Sequence, residues 1–457
     1  MNLLTRANAT LAYLALVLVL GGASAAGFGG NLLLQLLGAG LIAWTIWPRP
    51  EGETLHTGLR GFFIALGVLC AVQFLPLPPG LWQHLPGREK VFEGFGLIGA
   101  EAPWLTLSLA PWKSLGSFTW WIPALALFMA MRTDDAPLSR HIIAVVTAVA
   151  VVSVAISSVQ AGAGSLYFYI VTNYGEGPGF FSNSNHQGSF LLVTLALFGS
   201  WAIAEIRNNA GQVGKSASIQ AIYGGIALLL AFGVIVSGSL ACQLLLGPVL
   251  LALVLVAKPD FRLPAGAVLL AGLILVAGFA AFLLFGPAAN DLTTKGTTAG
   301  ISRQEFLFTG LRILGDFAPF GSGTGTFLEL YRWYEDPKLV GTTYVNHAHN
   351  DLLELLIENG VFGLAALGLF LAWYLPRTWT LWGGARRNVV PLAASLAIGT
   401  VLVHSLVDYP LRTAAMSALI AIACVLMVRP ADPPRSRSRR GSNRPTRHAV
   451  HKEMIKI

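Results

Sequence analysis

The chain has 457 residues, of which 54% are hydrophobic and 11% charged, with a mean hydropathy of +0.65. A soluble domain carries about a quarter charged residues, so a water-soluble body and a disordered chain are both excluded and a multi-pass membrane protein remains. The net charge of +8 does not signal nucleic acid, because Arg429 to Ile457 hold nine Lys/Arg against Asp432 and Glu453, a net +7 in the tail alone, with no nucleic-acid motif beside them.

A bilayer core ~30 Å thick is crossed by about 20 mostly apolar helical residues. Twelve stretches qualify: 11–26, 32–47, 59–75, 114–131, 141–160, 188–204, 219–236, 240–257, 264–285, 355–375, 390–407 and 413–428. The predicted fold is therefore all-α, a polytopic membrane protein with about 12 transmembrane helices and a long periplasmic loop before the tenth. Arg6, an apolar run and Ala23-Ser24-Ala25 imitate a secretory signal, but the many spans that follow favour an uncleaved first helix. Residues 1–428 read as one polytopic domain. Residues 429–457 read as a basic, disordered cytoplasmic tail drawn to anionic membrane lipids. Cys70, Cys242 and Cys424 lie far apart in apolar runs and have neither disulfide nor metal-ligand spacing.

An inside N-terminus assigns 21 of the 30 Lys/Arg to the cytoplasm, and both termini are then cytoplasmic. Three segments on the outer side are long: 76–113, 161–187 and 286–354. The last contains the turn GSGTGTF (Gly321 to Phe327) and the aromatics Tyr331, Trp333, Tyr334 and Tyr344. A long loop with its own polar chemistry is usually functional.

Its sharpest motif is NHAHNDLLELLIENGVFGL, Asn346 to Leu364, where polar residues give way to an apolar helix. Asn350 is the expected N-cap, and the helix end beside His349 favours an anion and keeps that imidazole neutral as a base. Alternatively, His347 and His349 merely cap and hydrogen-bond a loop. A metal reading is weaker: His-x-His on an extended segment points both rings the same way, and His186 would join them, but the loop lacks a paired-carboxylate motif. Arg303, Arg312 and Arg412 reach the same face, where guanidinium forks suit a diphosphate; pairing with Asp316 and Asp408 is the other fate open to them. Asn183 and Asn185, in FFSNSNHQGSF, offer amides suited to sugar hydroxyls, or simply form a turn before a helix.

Together, QFLPLPPGLWQHLPG, GFFSNSNHQGSF, SRQEF followed by PFGSGTGTF, the Asn346–Leu364 motif and HSLVDYPLR resemble the O-antigen ligase and polymerase superfamily of bacterial inner membranes. The resemblance covers most of the chain. It implies a metal-independent, cofactor-free inverting glycosyltransferase. The donor would be a glycan on an undecaprenyl-diphosphate carrier, and the acceptor a sugar hydroxyl of the lipid A core or of a growing glycan. It also implies that His349 acts on the acceptor hydroxyl, that Arg303 binds the diphosphate with Arg312 and Arg412 as further cations, and that Asn183, Asn185, His347 and Asn350 serve the sugar. The family's usual arginine is replaced by Leu240 in Ser237-Gly238-Ser239-Leu240, so Arg312 or Arg412 would have to supply that charge, or the donor is held differently. A transporter or flippase of lipid-linked glycan is the alternative, although no Asp, Glu, Lys or Arg falls in the central turns of the spans.

Overall fold

The computed structural model describes residues 5–25, 28–47, 57–133, 137–208, 215–258, 278, 303–338, 340, 345–383 and 388–429. The ninth expected span, the first part of the loop that follows it (286–302) and nearly all of the basic tail lie outside the described residues.

The described chain is mainly helical, with one short antiparallel pairing of Pro76–Leu77 with Leu105–Thr106 and an isolated parallel bridge of Gly22 to Phe181. Among the described residues six helices are long and apolar enough to cross a membrane: Gly29–Ile46, Ser139–Ala163, Ser184–Asn208, Ala217–Val236, Leu240–Ala257 and Asp351–Gly383. Four further expected spans are shorter apolar helices, Arg6–Leu20, Leu59–Gln73, Val389–His404 and Ala414–Val428. The expected span 114–131 is not one helix. It divides into Pro111–Thr119 and Ile122–Ala130, because Pro123 has no N–H to continue the ladder and Trp120 and Trp121 close tighter turns onto Ser117 and Phe118.

Helix Ser184–Asn208 (α1 below) is the centre of the bundle, with an unbroken buried run from His186 to Ser200. A helix enclosed on every side, its polar His186, Gln187, Ser189, Thr194 and Ser200 included, is a core element rather than a lipid-facing one. The three long loops converge at one end of the bundle: the Ser24 hydroxyl meets Ser182 at 2.9 Å, Leu109 N–H donates to Ser322 O at 2.9 Å, and Thr324 N–H donates to Gln73 Oε1 at 3.0 Å. At the opposite end, arginines from other segments satisfy helix C-terminal carbonyls: Arg6 bonds Trp47 O at 3.2 Å, Arg377 bonds Met427 O at 2.9 Å, and Arg207 bonds Val256 O. Orphan carbonyls and the negative end of the helix dipole favour a cation there.

Helix Asp351–Gly383 (α2 below) breaks at Gly360, whose φ of 50° lies in the left-handed region. The turn Gly321–Phe327 is inserted into this break. Val361 N–H donates to Pro319 O at 2.8 Å, Ser322 N–H to Ile357 O at 3.0 Å, and Gly323 N–H to Glu358 O at 2.8 Å. Gly321 and Gly323 have positive φ and lie against Glu358 and Ser108, where a side chain would collide. The glycine-rich turn therefore completes a broken helix and positions its first two turns.

Candidate functional site

Asn350 caps α2 as its position predicts: its Oδ1 accepts from Leu353 N–H at 2.9 Å, and its Nδ2 donates to Leu406 O at 2.7 Å. That amide is spent on the cap and on tying α2 to the 404–412 loop. The N–H of Asp351 reinforces the tie by donating to Ser405 O and Asp408 O at 2.9 and 3.1 Å. The residue before the cap, His349, has φ 50°. The expectation of an extended His-x-His with parallel rings is therefore corrected, because a left-handed residue turns the chain and sends the two imidazoles apart.

His349 faces the buried Asp408. Its Nδ1 lies 3.9 Å from Asp408 Oδ1, and His186 Nε2 lies 3.6 Å from the same oxygen. Burial pushes the Asp408 carboxyl up, but His186, His349 and His404 around it prevail and hold it well below the usual carboxylate range. Phe306 packs on the other side of His349, ring centres 5.1 Å apart. Tyr409 stands at the centre of the cluster: its ring is 4.5 Å from His347, 5.0 Å from His349 and 4.8 Å from His186. Its hydroxyl accepts from Asn183 Nδ2 and donates to Asn346 Oδ1, both at 3.2 Å. Among the described residues no group of three or more His, Cys, Asp or Glu is arranged to hold a metal ion.

His347 faces the other way, into a cavity of about 890 Å³. Its Nδ1 meets Glu354 Oε1 at 2.8 Å and its Nε2 meets Ser24 O at 3.2 Å. Two acceptors on two ring nitrogens require two donors, the imidazolium form. Burial opposes that charge, and the Glu354 carboxylate more than offsets it, raising the His347 pKa. Arg412 lies beside it in a carboxylate cage, with Glu358 at 2.9 Å, Glu354 at 3.3 Å and Asp351 at 3.4 Å. Burial would weaken the guanidinium charge, but these three carboxylates hold it firmly protonated. From this polar end the cavity runs between the spans along Leu367, Leu371, Leu375 and Leu402.

The expected site residues thus separate into groups. His347 and Arg412 line the cavity, whereas His349 and Asn183 lie behind it, packed on Tyr409. Asn183 also accepts from the backbone N–H of Asn185 at 2.8 Å, an Asx turn at the start of α1. Arg303 opens the helix Arg303–Phe317 one turn ahead of Phe306, on the side that meets His349; its side chain is outside the described residues. Arg312 is nine residues further on, about two and a half turns, and so projects from the opposite face. There it bonds Thr309 Oγ1 at 3.1 Å and pairs with Glu305 at 3.8 Å. Leu240 opens its helix behind a cap in which the Ser239 hydroxyl accepts from Cys242 N–H at 3.3 Å.

Sequence reasoning passed over Tyr409 and the acids Asp351, Glu354 and Glu358. The acids had a readable signature, since i, i+3, i+7 places all three on one helix face just before an apolar span.

The chain has no match among the curated proteins. Residues 225–368 match the family model for O-antigen ligase. That segment contains the Arg303–Phe317 helix, the glycine-rich turn, both histidines of the His-x-His motif and the kinked start of α2; over it, about a third of the chain, the protein is similar to the O-antigen ligase family.

Proposed function

We propose that this O-antigen ligase-type membrane protein is a glycosyltransferase. It would move a glycan from an undecaprenyl-diphosphate carrier to an acceptor sugar hydroxyl on the periplasmic face of the bacterial inner membrane. The cavity carries the reading: a single space of about 890 Å³ joins a polar end beside His347 to an apolar trough among the spans, a shape that fits a saccharide carried on a lipid, as both the donor and a lipid A core or carrier-linked acceptor are. A solute route would instead need groups to bind or pass a polar cargo near the midplane, where this trough is lined by leucines.

In this reading His349 takes or holds the proton of the acceptor hydroxyl as that oxygen attacks the anomeric carbon. The carrier diphosphate leaves from the opposite side, which inverts the anomeric configuration. Asp408 lies at 3.9 Å from His349 Nδ1, where it orients the ring and stabilises the imidazolium that forms, the role of a carboxylate behind a catalytic histidine. Arg303, on the Phe306 side of His349, supplies charge to the departing diphosphate.

The test is transfer in proteoliposomes holding the purified chain, a polyprenyl-diphosphate-linked glycan and an acceptor. His349→Ala should lower the rate ~10²- to 10⁴-fold while the protein still inserts, and a chelator should leave the wild type unchanged. The product distinguishes a ligase, which loads the lipid A core, from a polymerase, which lengthens a carrier-linked chain. Wild-type rates from His349→Ala would remove this residue from the chemistry.

A further inference from the structure

The polar end of the cavity is lined by four carboxylates, Glu329, Asp351, Glu354 and Glu358, and three basic groups, Lys113, His347 and Arg412. Every basic group there already has an acidic partner. Lys113 pairs with Glu329 at 2.8 Å, His347 with Glu354 at 2.8 Å and Arg412 with Glu358 at 2.9 Å, which leaves the carboxylates in excess by one. A diphosphate placed here would meet saturated cations and like charge. A saccharide meets the opposite, because each hydroxyl is a donor and carboxyl oxygens accept.

Asp351 shows what is missing. It is 92% buried, since only 8% of its surface is exposed. Its Oδ2 accepts from Ser405 Oγ at 2.8 Å and Leu411 N–H at 3.3 Å, whereas its Oδ1, also buried, is ion-paired with Arg412 Nε at 3.4 Å but receives no hydrogen bond. A buried acceptor without a donor is costly, and Asp351 lines the cavity. Trp120 and Trp121 line the same cavity, and flat apolar indole faces suit the C–H face of a pyranose. A tryptophan belt alone would sit against lipid headgroups, but these two face the same cavity as the acids.

We infer that the acidic end of the cavity is the acceptor-saccharide subsite: Asp351 and Glu358 receive hydrogen bonds from sugar hydroxyls, Trp120 and Trp121 stack on the ring, and the donor diphosphate binds elsewhere, on the Arg303 side of the His347–His349 segment. Arg412 then serves to hold the acids in place and does not contact phosphate. This assignment rests on the glycan-transfer reading, and its test separates the two.

The probe is a neutral oligosaccharide, released by mild acid from the host's own surface polysaccharide and therefore free of lipid and phosphate. Binding to the full chain in nanodiscs is read by saturation-transfer NMR, alongside binding of undecaprenyl diphosphate. The wild type should bind both, without competition between them. Asp351→Ala should weaken the oligosaccharide at least tenfold and leave undecaprenyl diphosphate unchanged. Because Asp351 also ties α2 to the 404–412 loop, Trp120→Ala provides a second variant outside that network, with the same expected split and a raised acceptor KM at unchanged donor KM. Competition between the ligands, or loss of undecaprenyl diphosphate in either variant, would overturn the assignment. So would a wild type that transfers glycan yet binds no oligosaccharide. Oligosaccharide binding by a wild type that transfers nothing would support the subsite and overturn the transfer reading.

Discussion

At the scale of single residues, Tyr409 is where the site's parts meet. Three imidazoles lean on its ring, and its hydroxyl joins Asn183 of the 161–187 loop to Asn346 of the motif loop. Tyr409→Phe removes only the hydroxyl, so it should cost about 1 kcal/mol of stability and lower transfer less than tenfold. Tyr409→Leu removes the ring that positions the histidines, and a misplacement of about 1 Å is worth roughly a hundredfold in rate. Equal rates for the two variants in proteoliposomes would show that the ring positions nothing. His347 gives a prediction in pH. Because its pKa is raised by Glu354 over the opposing effect of burial, its charged contact contributes stability in full below the ordinary histidine value of about 6.5 and loses it as pH climbs through the raised value. Melting temperature of the detergent-solubilised wild type should therefore fall as pH rises above 7, and His347→Gln should flatten that fall. Parallel curves would mean that the pair contributes nothing. The sequence marked both histidines but not their opposed directions, because the left-handed φ of His349 depends on how Asn350 and Asp351 dock onto the 404–412 loop, residues about 55 positions away.

At the scale of elements, the site depends on a helix that is deliberately interrupted. The cap at Asn350 was legible because capping is local chemistry, and so was the apolar register of α2. The break at Gly360 was not legible, since an isolated glycine in a helical pattern is ordinarily just a weak point. Its meaning comes from Pro319–Gly323, which lies against it and supplies the N–H groups that Ile357 and Glu358 would otherwise lack. The same distance in sequence explains the arginines. Loop placement suggested that Arg303, Arg312 and Arg412 act together; in the structure Arg303 and Arg312 belong to one helix, nine residues apart, and Arg412 is held by acids contributed by α2. Gly360→Ala tests the interruption. A Cβ at φ 50° would run into the Pro319 carbonyl oxygen, and the left-handed conformation alone costs an L-residue roughly 1–2 kcal/mol. The variant should melt lower by more than that cost and lose transfer, because Glu354 and Glu358 sit in the turns just before the break. An Ala variant that melts with the wild type would show that the turn and the helix separate without consequence.

At the scale of the whole molecule, α2 ties the site to one side of the membrane. From Val361 to Gly383 it has 23 residues, about 34 Å at 1.5 Å per residue, enough to cross a core of ~30 Å. The polar end of the cavity and the three long loops lie at its Asp351 end. Arg377, near the other end, bonds the last turn of the helix Ala414–Val428. In the orientation we propose from the Lys/Arg asymmetry, that far end is cytoplasmic and the polar end of the cavity periplasmic, the side on which the proposed transfer takes place. Cysteines at Lys338, on the loop side, and at Thr380, near the far end of α2, decide the matter, since both positions are exposed. In cells whose outer membrane alone is permeabilised, a membrane-impermeant maleimide should block Lys338→Cys, whereas Thr380→Cys should react only after lysis. The native cysteines do not confuse the result: Cys242 and Cys424 are buried, and Cys70 is half-buried. The reverse labelling pattern would put the His347 cavity on the cytoplasmic side and remove the periplasmic transfer reaction, while leaving the geometry of the His349–Asp408 pair and of the acidic cavity as it stands.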